Sequence, residues 1–290
     1  MNTELSIIIG VQHAQKNLSD ILQNLNPTNY SNVEFLFCTT PDDPLTESTI
    51  SAFNNCKAIH CKKGRLIPEM WGDGIEAANS NNVALTTAHC IPAKNWVDTL
   101  LQTDMTKYPG IGGVIENDAK SSARDWAIYF LRYISFAPPQ QAREMHEIAA
   151  DNAVYRRSDI LENEDLMKKG FWEPSYHARF RKKGMAIALS PDIVVSHRNC
   201  YTTRQFFKQR LAHGKEFGLA RVSQISTIRR VLLIVLSPAL PILFLKKIIA
   251  SINKQGAYKS KLPMALPWLF IFLLAWGLGE AKGYLSISNK

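Results

Sequence analysis

The 290-residue chain predicts an α/β domain on a largely parallel sheet, followed by an apolar helical region. Three observations carry that prediction. Residues 5–11 and 33–38 are continuous apolar, β-branched runs, and between them Leu18, Ile21, Leu22 and Leu25 fall at helical spacing. A β-α-β opening of this kind needs a right-handed crossover and makes the two strands parallel. Residues 83–87 form another buried-strand run that stops abruptly at Ala88, His89 and Cys90, delivering polar groups to a strand's carboxyl end, where open α/β sheets place ligands. Finally, residues 231–245 and 262–278 are apolar nearly throughout, unlike anything before them.

The remaining elements follow in order. Residues 57–60 give a short strand, closed by a turn at Gly64-Arg65, and residues 68–78 a helix with Gly74, Ala77 and Ala78 making one face small enough to approach a neighbouring backbone. Residues 92–102 read as a helix carrying Trp96 and Leu100-Leu101, and residues 108–115 as a turn and strand whose glycines lack the dinucleotide-binding GxGxxG spacing. Residues 119–148 read as helical, with an aromatic stripe at Trp126, Tyr129, Phe130 and Tyr133 and a break at Pro138-Pro139. A strand over 150–157, a helix over 171–184 and a strand-turn-strand over 186–197 complete the first part.

Composition narrows the partners. Residues 1–150 hold 11 Lys/Arg against 16 Asp/Glu, whereas residues 151–290 hold 23 against 9. Basic charge beside apolar segments points to an anionic membrane surface or phosphorylated substrates, and no nucleic-acid motif or interleaved stacking platform accompanies it. Five cysteines without paired metal spacing, and no secretory pattern ahead of Leu5, are expected of a reducing, cytosolic setting.

An apolar strand, the triplet Thr87-Ala88-His89, then Cys90-x-Pro92 and Trp96 resembles the nucleotide-sugar-binding segment of family 2 glycosyltransferases, whose fold is called GT-A. Further on, Ala150-x-Asn152-x-x-Tyr155-Arg156-Arg157 is similar to the family's donor-sugar strand. Counting back from Gly184 places Arg179 on the family's helix Arg and Glu173 on its catalytic Asp, and His197 closes the equivalent of its last strand. The likeness covers roughly residues 5–221. It implies a Rossmann-like GT-A domain over 1–222 and a membrane-associated helical region over 223–290. By the same resemblance Glu173 and Arg179 would be catalytic, with Thr39, Arg65, Thr87, His89, Asn152 and Arg156 on the donor. The sequence departs from the family where Thr87-Ala88-His89 replaces the metal-holding Asp-x-Asp and where Cys38-Thr39-Thr40 replaces an Asp after the second strand, leaving Asp42 as a substitute. His89 and His197 would suit manganese better than magnesium, which wants oxygen ligands; alternatively Arg65, Arg156 or Arg157 would neutralise the diphosphate without an ion.

The expected function is transfer of a sugar from a nucleotide-diphosphate donor to a lipid-linked or polysaccharide acceptor, with inversion, on the cytoplasmic side of a membrane and without nucleic acid. The alternative is a non-catalytic GT-A scaffold in an envelope-polysaccharide assembly. At ~1.5 Å per residue the first apolar run reaches ~22 Å, short of a ~30 Å hydrocarbon core. Two segments lying in the cytoplasmic leaflet are therefore expected, with one span over 262–278 as the second possibility.

Overall fold

The computed structural model describes residues 3–41, 45–118, 122–222 and 225–286. Asp42, the substitute acid considered above, lies outside them. The chain forms two compact units, one from residues 1–118 with 136–200 and one from residues 119–135 with 201–290.

The first unit is built on a mixed sheet of nine strands among the described residues: β1 (Leu5–Gly10), β2 (Val33–Thr39), β3 (Cys56–His60), β4 (Asn82–Thr87), β5 (Cys90–Pro92), β6 (Gly110–Asn117), β7 (Arg143–Met145), β8 (Asn152–Arg156) and β9 (Ile187–His197). Its order is β3-β2-β1-β4-β8-β6-β9-β5, with β7 paired to β9. The first four strands are parallel, as the β-α-β opening predicts. β8 then runs antiparallel between β4 and β6. β5 and β7 pair antiparallel with β9; both are three-residue strands too short to stand out from a sequence pattern.

Periodicity translates directly into packing. Leu18, Ile21, Leu22 and Leu25 are the buried residues of the helix Leu18–Leu25. In the helix Ile67–Ala77 it is Gly74 that meets the sheet, where a Cβ would lie 2.4 Å from Ile8 Cγ2 and 2.8 Å from Cys38 Sγ, whereas Ala77, expected on the same small face, is exposed. The opposite, amino edge of the parallel strands is closed by a buried network in which Ser6 Oγ donates to Glu34 at 2.6 Å, and Glu34 accepts from the backbone and side chain of Asn79 at 2.6 and 2.7 Å. The carboxyl edge carries the turn at Thr87.

The second unit holds the helices Ala123–Tyr133 and Thr203–Val222 and two long apolar helices, spanning 227–255 with a short 3₁₀ turn and 259–285. The predicted helix over 119–148 is shorter than expected, ending in a turn at Ile134–Phe136. Its aromatic stripe is core: Trp126 and Tyr129 pack against Tyr258, ring centroids 4.9 and 5.8 Å apart.

Candidate active site

The turn after β4 is pinned from every side. The Ala88 amide donates to Gly10 O at 3.0 Å, Asn17 Nδ2 donates to Ala88 O at 2.8 Å, and the Arg198 amide donates to His89 O at 2.7 Å. His89 itself is buried, and its ring is a brace between strand ends. Nε2 lies 2.9 Å from the Gln12 carbonyl oxygen, which only accepts, so Nε2 carries the proton. Nδ1 then bears the lone pair and accepts from the Cys200 amide at 3.3 Å. Both nitrogens of a neutral imidazole are thereby committed to backbone groups.

That geometry bears on the ion. His89 and His197 have ring centroids 6.4 Å apart, but for the protein to hold a metal His89 must release one of its backbone partners. Among the described residues there is no group of three or more His, Cys, Asp or Glu side chains placed to hold one. The described residues thus offer no ready-made set of three protein ligands for a divalent ion.

Around the turn the carboxyl edge gathers several of the sequence-predicted residues. Thr39 ends β2, buried, and Thr87 ends β4, 1% exposed, with its hydroxyl lacking a hydrogen-bond partner among the described residues. Arg65 arrives in the loop after β3: its carbonyl accepts from Gln12 Nε2 at 3.2 Å, while its guanidinium reaches Glu69 at 3.2 Å and Asp73 at 3.4 Å. His197 ends β9 opposite Cys90 and Asn117. Glu173, half-buried, opens the helix Glu173–Lys182, whose start is tied to that of the helix Ile67–Ala77 by the Phe171 amide donating to Pro68 O at 2.7 Å.

The other predicted residues sit elsewhere or are committed to the sheet. Asn152 lies behind the edge, opposite Thr86, and its amide is fully used: Nδ2 donates to Val114 O at 2.9 Å and Ile193 O at 3.0 Å, and Oδ1 accepts from Trp96 Nε1 at 2.8 Å. It bridges a bulge between β6 and β9 at Gly113, where a Cβ would come within 2.4 Å of Asn152 Nδ2. Arg156 is the Cα partner of Asn82, at the far end of β8. At ~3.3 Å per residue that is ~13 Å from Asn152, and its guanidinium holds Asp159 and the carbonyls of Met105 and Thr106. The structure does not bring Arg156 to the turn. Arg157 likewise holds Ile75 O and Glu76 O. Arg179 chelates Asp165, Nη2 to Oδ2 at 2.8 Å, which raises its own pKa and lowers that of the exposed carboxylate. A 710 Å³ concavity lined by Thr99, Tyr108, Ile111 and Leu189 opens near the starts of β6 and β9, away from the turn.

Sequence reasoning missed the braces. Gln12, Asn17 and the backbone of 198–200 fix His89, but each acts through a carbonyl, an amide or a long-range contact that spacing does not reveal. It also missed a chain of contacts at the Glu173 helix, in which the half-exposed Glu147 carboxylate lies 2.5 Å from Nδ1 of the buried His177, and His177 Nε2 lies 3.1 Å from the Tyr155 hydroxyl. Burial pushes the Tyr155 phenol well up, and the charges of Glu173, Glu147 and Asp151 push it further.

The strand order and this edge define the first unit as a nucleotide-diphospho-sugar transferase fold of the GT-A type, with two long apolar helices in the second unit. Among solved structures, the chain is similar to the mannosyltransferase PcManGT from Pyrobaculum calidifontis in complex with GDP-Man and Mn2+, at 13% identity and a TM-score of 0.55, covering 97% of this chain and 87% of that one. It is also similar to TarS 1-349 from S. aureus, at 12% identity and a TM-score of 0.50, covering 96% and 90%. At these identities the likeness is one of fold. No protein-family model matches the chain, nor does any curated protein sequence.

Proposed function

We propose that the chain is a membrane-associated glycosyltransferase that moves a sugar from a nucleotide-diphosphate donor to a lipid-linked or polysaccharide acceptor, with inversion, from the cytoplasmic side. The reading is supported by Thr39, Arg65 and Thr87 at the carboxyl ends of the parallel strands of a GT-A sheet, with the Glu173 helix start tied to the helix that follows Arg65. A structure of the same fold holds a nucleotide-sugar. In this reading Glu173 takes the proton from the acceptor hydroxyl as it attacks the anomeric carbon, opposite the departing nucleoside diphosphate. Its place in the first turn of a helix, where backbone N–H groups converge, favours the ionised form. Positive charge for the leaving diphosphate comes from Arg65, exchanging Glu69 and Asp73 for phosphate oxygens. Arg179 supports the Glu173 helix through Asp165 rather than meeting the substrate.

Membrane association is supported by the two apolar helices. At ~1.5 Å per residue, 29 and 27 residues reach ~40 Å, longer than the apolar runs alone and sufficient for a ~30 Å core. Ile228, Val231, Val235 and Ile242 each expose more than half of their surface. A non-catalytic scaffold is the second reading, favoured by the commitment of both His89 nitrogens. A panel of UDP-, GDP- and dTDP-sugars, with manganese or with chelator, tests both. Saturable binding of one donor with slow nucleotide release that persists in chelator is expected. Binding of none, in folded protein, establishes the scaffold, and activity restored only by manganese overturns the metal-free route.

A further inference from the structure

We propose that the second unit carries a seat for an anionic phospholipid at the end of its last helix, a reading that rests on the membrane association proposed above. Lys208, Leu211 and Lys215 fall on one face of the helix Thr203–Val222, and Lys282, Leu285 and Ser286 lie at the end of the helix Leu262–Leu285. Together they line a concavity of 590 Å³.

The helix contact that builds it depends on missing side chains. A Cβ on Gly279 would lie 2.2 Å from Leu211 O, and one on Gly283 would lie 2.3 Å from Lys215 O. With glycine at both positions the backbones touch, and lysines from two helices are drawn to one opening. All three lysines are exposed, and among the described residues none makes an ion pair. The nearest carboxylate on the last helix, Glu280, is buried and engaged by Tyr284 at 2.7 Å, Trp276 at 3.0 Å and Arg221 at 3.6 Å. Arg230 adds a fourth cation, donating to the carbonyls of Tyr284 and Ser286 that end the helix. Residues 201–290 hold 14 Lys/Arg against 2 Asp/Glu, the exposed Glu216 beside Lys215 and the buried Glu280, so cations outnumber acids around the opening.

Three lysines beside Leu211 and the 62% exposed Leu285 match a phosphate headgroup carrying an acyl chain. A free phosphate would satisfy the lysines and leave the leucines wet. The position agrees, since Lys282 stands in the last turn of a helix long and apolar enough to cross a bilayer, at headgroup depth. A lipid held there neutralises the lysines and fixes the helix end to one leaflet.

The full chain in detergent, titrated with phosphatidylglycerol or phosphatidylcholine and read by native mass spectrometry, tests the seat. At roughly a tenfold change per 1.4 kcal/mol and about 1 kcal/mol per lysine, the wild type should prefer phosphatidylglycerol at least tenfold. Lys208→Gln/Lys215→Gln/Lys282→Gln should abolish that preference, with Lys282→Gln alone losing about three- to fivefold should the triple variant misfold. Lys246→Gln/Lys247→Gln/Lys254→Gln, an equal change in charge, should retain it. No preference in the wild type, equal loss in both triple variants, or displacement of the lipid by inorganic phosphate overturns the seat. Nucleotide-sugar binding in the same preparations reports separately on the glycosyltransferase reading.

Discussion

Glu173 and Thr87 are the residues whose chemistry is most exposed to test. Glu173→Gln keeps shape and polarity while removing the base, so transfer should fall about 10²-fold or more with donor affinity little changed. Single-turnover rates beside equilibrium donor binding separate the two, and unchanged turnover removes Glu173 from the mechanism. Thr87 offers a different kind of evidence. A buried hydroxyl without a partner among the described residues costs about 1–3 kcal/mol, and valine fills the same volume without that cost. Thr87→Val should therefore leave the melting temperature unchanged or higher while weakening nucleotide-sugar binding roughly two- to tenfold, the worth of one hydrogen bond. Unaltered donor affinity would exclude Thr87 from the donor site.

Between elements, Asn152 shows where pattern reading stops. Apolar runs, helical spacing and the close approach at Gly74 were legible because each is a local rule about which side faces the sheet. The helix expected over 171–184 forms as Glu173–Lys182, with Gly184 just past its end at φ +74°. An asparagine in a strand carries no such rule. From resemblance it belongs with the donor sugar, whereas its three hydrogen bonds tie β8 to β6, to β9 and to Trp96 across the sheet. The short strands β5 and β7 were hidden for a related reason, because they exist only through β9. Asn152→Ala would strand two buried carbonyls and the Trp96 indole, so denaturant unfolding should show a loss of about 3–5 kcal/mol. A loss below ~1 kcal/mol would mean that the bulge closes without it.

For the whole molecule, two halves of opposite charge are legible in the sequence, but not the burial of a titratable imidazole beside arginines. That group is His213. Burial lowers its pKa well below the usual imidazole value, and the neighbouring Arg210 and Arg132 lower it further. All three belong to the helical unit. The folded chain thus keeps His213 neutral at a pH where the unfolded chain, titrating near ~6.5, already binds the proton. Because the unfolded state then holds more protons, stability rises with pH across the interval below ~6.5 and falls on acidification by up to about 1.4 kcal/mol per pH unit. Thermal unfolding in detergent between pH 7.5 and 5.5 should therefore show a melting temperature that drops as the pH falls through 6.5. His213→Gln, which cannot take up the proton, should flatten that slope whatever it does to stability at pH 7.5. An unchanged slope in the variant would place the acid sensitivity on other groups.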